Sequence, residues 1–112
     1  MSNKLFIYGT LMDPRFGLKK LHQGIMAGDL YALVSYPALV NVNTDNQFYY
    51  EIAEVTPDNI KGLDIYEGVA SGLYRRELID TPLGEAWTYI YNKELPDYAT
   101  LITDWRSVKQ GD

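Results

Sequence analysis

The sequence predicts an α+β fold, a small and mainly antiparallel β-barrel with flanking helices. Most of the chain consists of short runs of β-branched and aromatic residues separated by turn formers, which is typical of several short strands. One segment, residues 56–68, carries both start and stop signals of a helix. The 112 residues suffice for one hydrophobic core and are too few for two ordinary ones, so we expect a single domain over residues 1–112.

The N-terminal residues are predicted to form a strand followed by a helix. Residues 5–8 are apolar without interruption, which is typical of a buried strand, and Gly9 is a turn former. Asp13 and Pro14 have the order of a helix cap and a first helical residue. The apolar positions that follow predict a helix through Leu21.

The next segment predicts three strands. Residues 25–42 are rich in apolar and β-branched side chains and are interrupted at residues 35–37, so two strands with a bend are expected. The polar stretch at residues 41–46 predicts a hairpin loop. The third strand is expected at residues 47–55, where apolar and polar side chains alternate.

Residues 56–68 carry the clearest helix signals in the chain. Thr56 is a favoured N-cap residue, Pro57 fits the first helical position, and Asp58 places an acid in the first turn. Gly68 can adopt the left-handed conformation of a helix end. The helix is therefore predicted to end at Glu67.

Two more strands are predicted towards the C-terminus. Residues 73–80 and 85–91 have the composition of strands, and residues 81–84, which include a proline and a glycine, predict the hairpin loop that joins them. The apolar residues that follow, through Trp105, favour an additional edge strand. The last residues of the chain are expected to be loose.

The composition argues against several classes of function. The formal net charge is −5 and no basic cluster occurs, which speaks against a surface for nucleic acid or anionic membranes. The chain has no cysteine and one histidine, His22, so thiolate catalysis and clustered metal ligands are not expected, and no metal or cofactor is predicted. The apolar run at residues 5–8 is too short for a signal or membrane segment. We therefore expect a soluble, cytoplasmic protein.

One glutamate, Glu67, is expected on the buried side of its helix. At about 100° per residue it shares the stripe of Ile60 and Leu63. Burial and the negative end of the helix dipole both disfavour its charged form, so the pKa of the carboxyl should rise towards working pH. Such a carboxyl can accept a proton and return it, as a general base and acid must. The alternatives are a carboxyl that reaches water and an ion pair with Arg75 or Arg76.

Three motifs in order make the chain resemble a known family. Residues 8–11 (Tyr-Gly-Thr-Leu) directly follow the first strand, residues 63–68 (Leu-Asp-Ile-Tyr-Glu-Gly) lie in mid-chain, and residues 74–76 (Tyr-Arg-Arg) open a strand. Each motif alone is weak. Their order and spacing, with the late strand at residues 85–91, resemble the gamma-glutamylcyclotransferase-like proteins, in particular the gamma-glutamylamine cyclotransferase-like members. The resemblance spans residues 5–106.

This resemblance implies a fold, an activity and a partner. It implies a β-barrel with flanking helices and a cavity between the first-strand turn and Glu67, which matches the catalytic acid/base of the family. Family members cleave gamma-glutamyl amides: the α-amine of the substrate attacks its own γ-carbonyl, 5-oxoproline forms and an amine leaves. Because the nucleophile is tethered, the protein needs mainly to hold a folded-back conformer and move protons. The implied partner is a small gamma-glutamyl substrate.

The turn after the first strand is the predicted anion site. Backbone N–H groups of Tyr8, Gly9, Thr10 and Leu11 can form a concave surface for the substrate α-carboxylate, or for charge that develops on the attacked carbonyl oxygen. The alternative is an ordinary strand-ending turn whose amides bind water or backbone.

Two strand residues and one departure from the family pattern complete the candidate site. Tyr74 and Arg76 share one face of their strand, so both side chains could face the cavity. In that position Arg76 could bind a carboxylate of the substrate or set the charge state of Glu67. The alternative is that Arg76 is an exposed strand arginine. Family members commonly carry a Gly-Glu pair where this chain has Tyr50 and Glu51. If Tyr50 points inward, we expect it to alter the leaving-amine side of the pocket.

The sequence leaves three functions open. The first is a cyclotransferase that acts on gamma-glutamylamines or gamma-glutamyl peptides through Glu67. The second is a non-catalytic protein that binds a small amino-acid-like ligand in the same cavity, because a fold can persist after activity is lost. The third is an interaction domain in which Glu67 is exposed or ion-paired, and a filled interior without a pocket would favour it.

Overall fold

Between residues 3 and 108 the fold is one six-stranded sheet with one α-helix. The computed structural model describes these residues, except for the side chains of residues 41–43. The strands are β1 (Lys4–Ile7), β2 (Lys19–Ala32), β3 (Pro37–Glu54), β4 (Tyr74–Thr81), β5 (Gly84–Tyr91) and β6 (Thr100–Ile102), and the helix α1 (Pro57–Tyr66) lies between β3 and β4 in the chain. Short 3-10 turns occupy Thr10–Met12, Pro14–Phe16 and Trp105–Ser107.

The sheet is open, so the mainly-sheet α+β class is confirmed and the predicted barrel is not. The strand order is β4-β5-β1-β3-β2-β6, with β1 and β5 parallel and the other neighbours antiparallel. A barrel closes only when its two edge strands pair, and in the described chain β4 and β6 do not. β6 has three residues where β4 has eight, so it offers little backbone for closure.

β2 and β3 form a long antiparallel hairpin that turns at residues 33–36, close to the predicted bend. The hairpin loop predicted at residues 41–46 is wrong, because β3 continues in the same direction through this segment. Residues 27 and 28 of β2 are consecutive but pair with residues 47 and 42 of β3, so the four residues between these partners, 43–46, are left over and form a bulge.

The helix predicted from Asp13 to Leu21 is also wrong. Asp13 does act as a cap, since its carboxylate accepts from the backbone N–H of Arg15 at 2.9 Å, but the turn it starts ends after three residues. Gly17, at a φ of 64°, ends the turn, and β2 begins at Lys19. The pairing of this segment with β3 overrides its helical pattern.

The mid-chain helix is confirmed at both ends. Thr56 and Asn59 form a reciprocal capping box, with bonds of 3.1 Å and 3.0 Å, and Gly68 follows the helix at a φ of 66°. The β4–β5 hairpin is confirmed as well, with Thr81 paired to Gly84 beside the turn. α1 has ten residues, and no helix in residues 3–108 has the length and apolar character needed to cross a membrane.

The two faces of the sheet carry separate hydrophobic clusters. Along β1 the side chains alternate, with Ile7 in one cluster and Phe6 in the other, and Tyr8 follows on the side of Phe6. α1 contributes Ile60 and Leu63 to the cluster of Ile7. Leu11 and Met12 of the turn after β1 belong to the same cluster, so α1 packs beside that turn. The expected edge strand is present as β6, whereas the expected looseness of the last residues, 109–112, lies outside the described residues.

Candidate active site

A cavity of about 190 Å³ lies where β1 ends, beside the last turn of α1. The turn after β1, the β2–β3 turn and strands β4 and β5 supply its walls. The walls are mainly aromatic and aliphatic, and the lining residues are Phe6, Ile7, Tyr8, Gly9, Thr10, Leu11, Ser35, Tyr36, Pro37, Tyr66, Glu67, Leu73, Tyr74 and Tyr89. All the predicted site residues except Arg76 therefore meet at this cavity.

Glu67 is the only carboxyl or amine side chain among these lining residues. It is the C-cap of α1, where its backbone N–H donates to the carbonyl oxygen of Leu63 at 2.8 Å. Burial raises the pKa of the Glu67 carboxyl from its ordinary value of 4.5 to about 7. A carboxyl with that pKa exchanges protons readily near neutral pH.

The two arginines that could have paired with Glu67 bind other carboxylates. Arg75 donates to Glu77 in the same strand. Arg76 donates from Nε to Asp64 Oδ1 at 3.0 Å. Within the described residues, no hydrogen bond or ion pair engages the carboxyl of Glu67. Its charge is therefore uncompensated by a neighbouring cation.

Three tyrosines, Tyr8, Tyr74 and Tyr89, stand around Glu67. Burial raises the pKa of all three hydroxyls, and the negative charge of Glu67 adds to each rise. The hydroxyl of Tyr8 donates to the carbonyl oxygen of Tyr89, that of Tyr74 donates to the carbonyl oxygen of Pro37, and that of Tyr89 donates to a carboxylate of α1. These tyrosines are neutral walls held in place by hydrogen bonds, and Glu67 is the lining side chain whose pKa lies near neutral pH.

The turn after β1 packs closely against the β2–β3 turn. A Cβ on Gly9 would lie 2.1 Å from Cγ of Pro37, so only glycine permits this approach. The N–H of Met12 donates to the carbonyl oxygen of Gly9 at 2.9 Å and closes a 3-10 turn. In the described chain, the amides of Thr10 and Leu11 have no hydrogen-bond acceptor. Two such N–H groups in the wall of the cavity suit an anion site.

Arg76 lies one layer behind the cavity wall. Its guanidinium lies 4.2 Å from the centroid of the Trp87 ring. The Asp64 oxygen that it binds also accepts from the hydroxyl of Tyr89 at 2.8 Å. Arg76 thus reaches the cavity only through Asp64 and Tyr89, and it orients a wall residue instead of lining the site.

Tyr50 and His22 do not line the cavity. The ring of Tyr50 stacks on Phe6 with centroids 4.5 Å apart, and its hydroxyl lies against Gly24 of β2. Tyr50 belongs to the cluster of Phe6, Leu30 and their neighbours, on the opposite face of the sheet from α1. Because Tyr50 is not among the lining residues and touches the cavity wall through Phe6, the structure does not support the hypothesis that Tyr50 itself fills the leaving-amine side of the pocket. His22, which directly follows the segment predicted as a helix, is a β2 residue whose ring lies 6.0 Å from that of Tyr50.

Sequence comparison assigns the chain to a family. The sequence model of the family described as gamma-glutamyl cyclotransferase, AIG2-like, matches residues 5–107. The chain belongs to this family. It is 34% identical over 101 residues to a Vibrio cholerae protein provisionally named a gamma-glutamylcyclotransferase, a match that covers 83% of this chain and 85% of that protein. It is 29% identical over 110 residues to the gamma-glutamylcyclotransferase family protein YtfP of Escherichia coli, across 91% of this chain and 95% of that one.

Solved structures agree with the AIG2-like assignment. The solution structure of Escherichia coli YtfP superposes with a TM-score of 0.72 at 28% identity, over 91% of this chain and 93% of that chain. The crystal structure of an uncharacterized Pyrococcus horikoshii protein superposes with a TM-score of 0.74 at 20% identity, over 93% of this chain and 90% of that chain. The second likeness supports the fold alone.

In this member of the AIG2-like family, several residues that line the cavity were not predicted from the sequence. Ser35 and Tyr36 come from the β2–β3 turn and Pro37 is the first residue of β3, and this segment carries no local sign of its distant contact with Gly9. Tyr89 had a usable signal, because it shares one strand face with alternate residues of β5 and pairs with Arg76 across the hairpin. No group of three or more His, Cys, Asp or Glu side chains in residues 3–108 is arranged to hold a metal ion.

Proposed function

We propose that this protein is a gamma-glutamyl cyclotransferase that converts a gamma-glutamyl amide to 5-oxoproline and a free amine, with Glu67 as general base and then general acid. The observation that carries this proposal is the carboxyl of Glu67, unpaired in the described chain and with its pKa raised to about 7 in the small cavity. Membership of the AIG2-like family supports the general activity.

The reaction needs one proton carrier and no protein nucleophile. The α-amine nitrogen of the substrate forms a bond to its own γ-carbonyl carbon, and the bond from that carbon to the leaving nitrogen breaks. The carboxylate of Glu67 takes the proton from the attacking nitrogen and the resulting acid delivers it to the leaving nitrogen. A tethered nucleophile makes the step effectively unimolecular once the substrate is folded back.

The walls of the cavity suit such a substrate. The amides of Thr10 and Leu11 can donate to the α-carboxylate or to the oxygen on which negative charge develops. The rings of Tyr8, Tyr74 and Tyr89 are fixed by their hydrogen bonds, so they restrict the acyl chain to few conformers. Exclusion of water by these rings also accounts for the raised pKa of the base.

Release of 5-oxoproline from a panel of gamma-glutamyl amines, gamma-glutamyl dipeptides and glutathione tests the proposal. We expect turnover by the wild-type protein and a fall of about 10²-fold or more in Glu67→Gln, since this is the range for removal of a general acid or base. Glu94→Gln is the matched control, because Glu94 is exposed and lies outside the cavity.

Three results would distinguish the candidate functions. Turnover that survives in Glu67→Gln would contradict the role of this carboxyl. Absence of turnover, with thermal stabilisation of both proteins by the same amide, would favour a binding protein. Absence of both turnover and stabilisation across the panel would contradict a gamma-glutamyl ligand altogether.

A further inference from the structure

The cavity beside Glu67 is small for a complete substrate. Its volume is about 190 Å³, whereas pockets that enclose a whole small-molecule ligand usually span about 300–1,000 Å³. A gamma-glutamyl amide that places its γ-carbonyl beside Glu67 fills the cavity with its glutamyl half. The leaving amine must then extend beyond the cavity.

A larger groove continues from the cavity in one direction. It has a volume of about 520 Å³ and shares four lining residues with the cavity, Gly9, Thr10, Ser35 and Tyr66. Tyr66 directly precedes Glu67, so the shared wall stands next to the proposed base. The groove is therefore the space next to the cavity into which the leaving amine of the substrate can extend.

The far part of the groove carries two guanidinium groups, Arg15 and Arg106, and one carboxylate, Asp13. Each guanidinium is paired with one nearby carboxylate, Arg15 with Asp13 and Arg106 with Asp104, so what the groove offers a ligand is N–H donors and not an excess of positive charge. Trp105, which is 6% exposed, supplies an apolar surface between these groups and the buried core. A carboxylate next to a short apolar side chain matches this combination.

Both arginines are oriented yet retain free donors. Arg15 is held through Nε by Asp13 at 3.2 Å. Arg106 binds Asp104 through Nε and Nη2 and lies 3.6 Å from the centroid of the Tyr49 ring. In residues 3–108 no acceptor engages the Nη groups of Arg15 or Nη1 of Arg106. These N–H groups are available to a ligand in the groove.

We infer that the groove is the leaving-amine subsite and that Arg15 and Arg106 select substrates whose leaving amine carries a carboxylate. The inference rests on the proposed cyclotransferase function for its chemistry and adds the residues that determine specificity. Because the arginines contact the leaving half only, their removal affects discrimination between leaving groups and spares the proton transfer at Glu67.

A matched pair of substrates tests the inference. Gamma-glutamyl-L-alanine and gamma-glutamyl-L-alaninamide have nearly the same shape and differ by one negative charge on the leaving amine. We expect the wild-type protein to favour the acid by about tenfold in kcat/KM, the scale of one charge-assisted contact. In the double variant Arg15→Gln/Arg106→Gln the ratio should fall towards 1, because kcat/KM for the acid drops more than kcat/KM for the amide.

Two further variants control for misfolding and for a general effect of removing positive charge. Arg15→Gln alone changes a side chain that is 76% exposed, so it should fold normally and lose part of the preference. Arg75→Gln removes the same charge from β4, outside the cavity and the groove, and should keep the wild-type ratio. A ratio that stays at the wild-type value in the double variant would overturn the inference while leaving the cyclotransferase intact.

Calorimetric binding separates this inference from the proposed function. The wild-type protein could release no 5-oxoproline but bind gamma-glutamyl-L-alanine about tenfold more tightly than the double variant does. That result would support the inferred subsite and contradict the proposed reaction. Equal affinity of both proteins for this ligand, or no affinity in either, overturns the subsite.

Discussion

Glu67 faces the cavity and has a raised pKa, and the sequence and the structure each explain part of this. Its position four residues after Leu63 places it on the inner side of α1, and the aromatic walls of the cavity remove the water that would stabilise its charge. The described chain supplies no cation to offset this effect. The pKa of about 7 is therefore a consequence of burial, and we expect the proposed activity and the stability of the protein both to depend on it.

Activity should depend on the ionisation of Glu67. Because the carboxylate is the form that accepts a proton, we expect kcat/KM for a gamma-glutamyl amide to fall as pH drops below about 7. An NMR titration of protein labelled at the glutamate carboxyl carbons should give one resonance with a midpoint near 7, which is absent in Glu67→Gln. A midpoint near 4.5 for that resonance would contradict the assignment.

Stability should respond to pH in the opposite direction. The folded pKa of Glu67 lies above its unfolded value, so its contribution is full below pH 4.5 and is lost as pH rises through about 7. Glu67→Gln lacks this loss and should be more stable than the wild-type protein at pH 8, by about 2 kcal/mol, and no more stable at pH 4. Chemical denaturation at the two pH values measures the difference; a gap of the same size at both would rule out the linkage, and Glu94→Gln should show no gap.

The turn after β1 and the β2–β3 turn hold each other in place. Gly9 lies so close to Pro37 that no side chain fits between them, and the hydroxyl of Tyr74 binds the carbonyl oxygen of the same Pro37. β4 thereby holds the β2–β3 turn in place. The β2–β3 turn then positions the segment after β1, which carries the unpaired amides. The geometry of the proposed anion site depends on contacts among three elements.

A methyl group on Gly9 should disturb this arrangement. Since the new Cβ would lie 2.1 Å from Pro37 Cγ, the two turns must move apart, and we expect Gly9→Ala to lose about 1–3 kcal/mol of stability and at least tenfold in kcat/KM. Gly62→Ala is the matched control on α1, where a Cβ meets no atom within 4 Å, and it should gain about 0.5–1 kcal/mol with unchanged activity. A Gly9→Ala protein as active and stable as the wild type would show that the turns are not coupled.

The order of strands in the sheet brings the whole site together. β1 lies in the interior of the sheet between β5 and β3, so the turn that follows it meets residues contributed by both neighbours. The cavity combines residues 8–11, 35–37, 66–67, 73–74 and 89, which are far apart in the chain. The groove adds residues from the region of Trp105, near the end of the described chain.

Local sequence predicted those features that depend on neighbouring residues. The ends of α1 follow from Thr56 and Gly68, the β4–β5 hairpin follows from the turn at residues 82–83, and the inner position of Glu67 follows from helical spacing. In each case the deciding interaction joins residues a few positions apart.

Features that depend on distant pairing were predicted wrongly or missed. The pattern of a helix at residues 13–21 yields to pairing with β3, and the polar residues of the bulge remain in β3 because Thr44 and Asn46 donate to Asp29 of β2, each at 2.8 Å. A closed barrel cannot be separated from an open sheet by strand patterns alone, because closure depends on whether the edge strands pair.

The sequence by itself determined the family, the helix that presents Glu67 and the glycine turn opposite it, because these are carried by short motifs whose chemistry is local. Only the tertiary structure decided that Arg76 supports a wall tyrosine, that Tyr50 packs on the other face, and that an arginine-lined groove continues from the cavity. The physical reason is that burial, pKa and the partner of a charged side chain are set by segments brought together through the order of strands in the sheet.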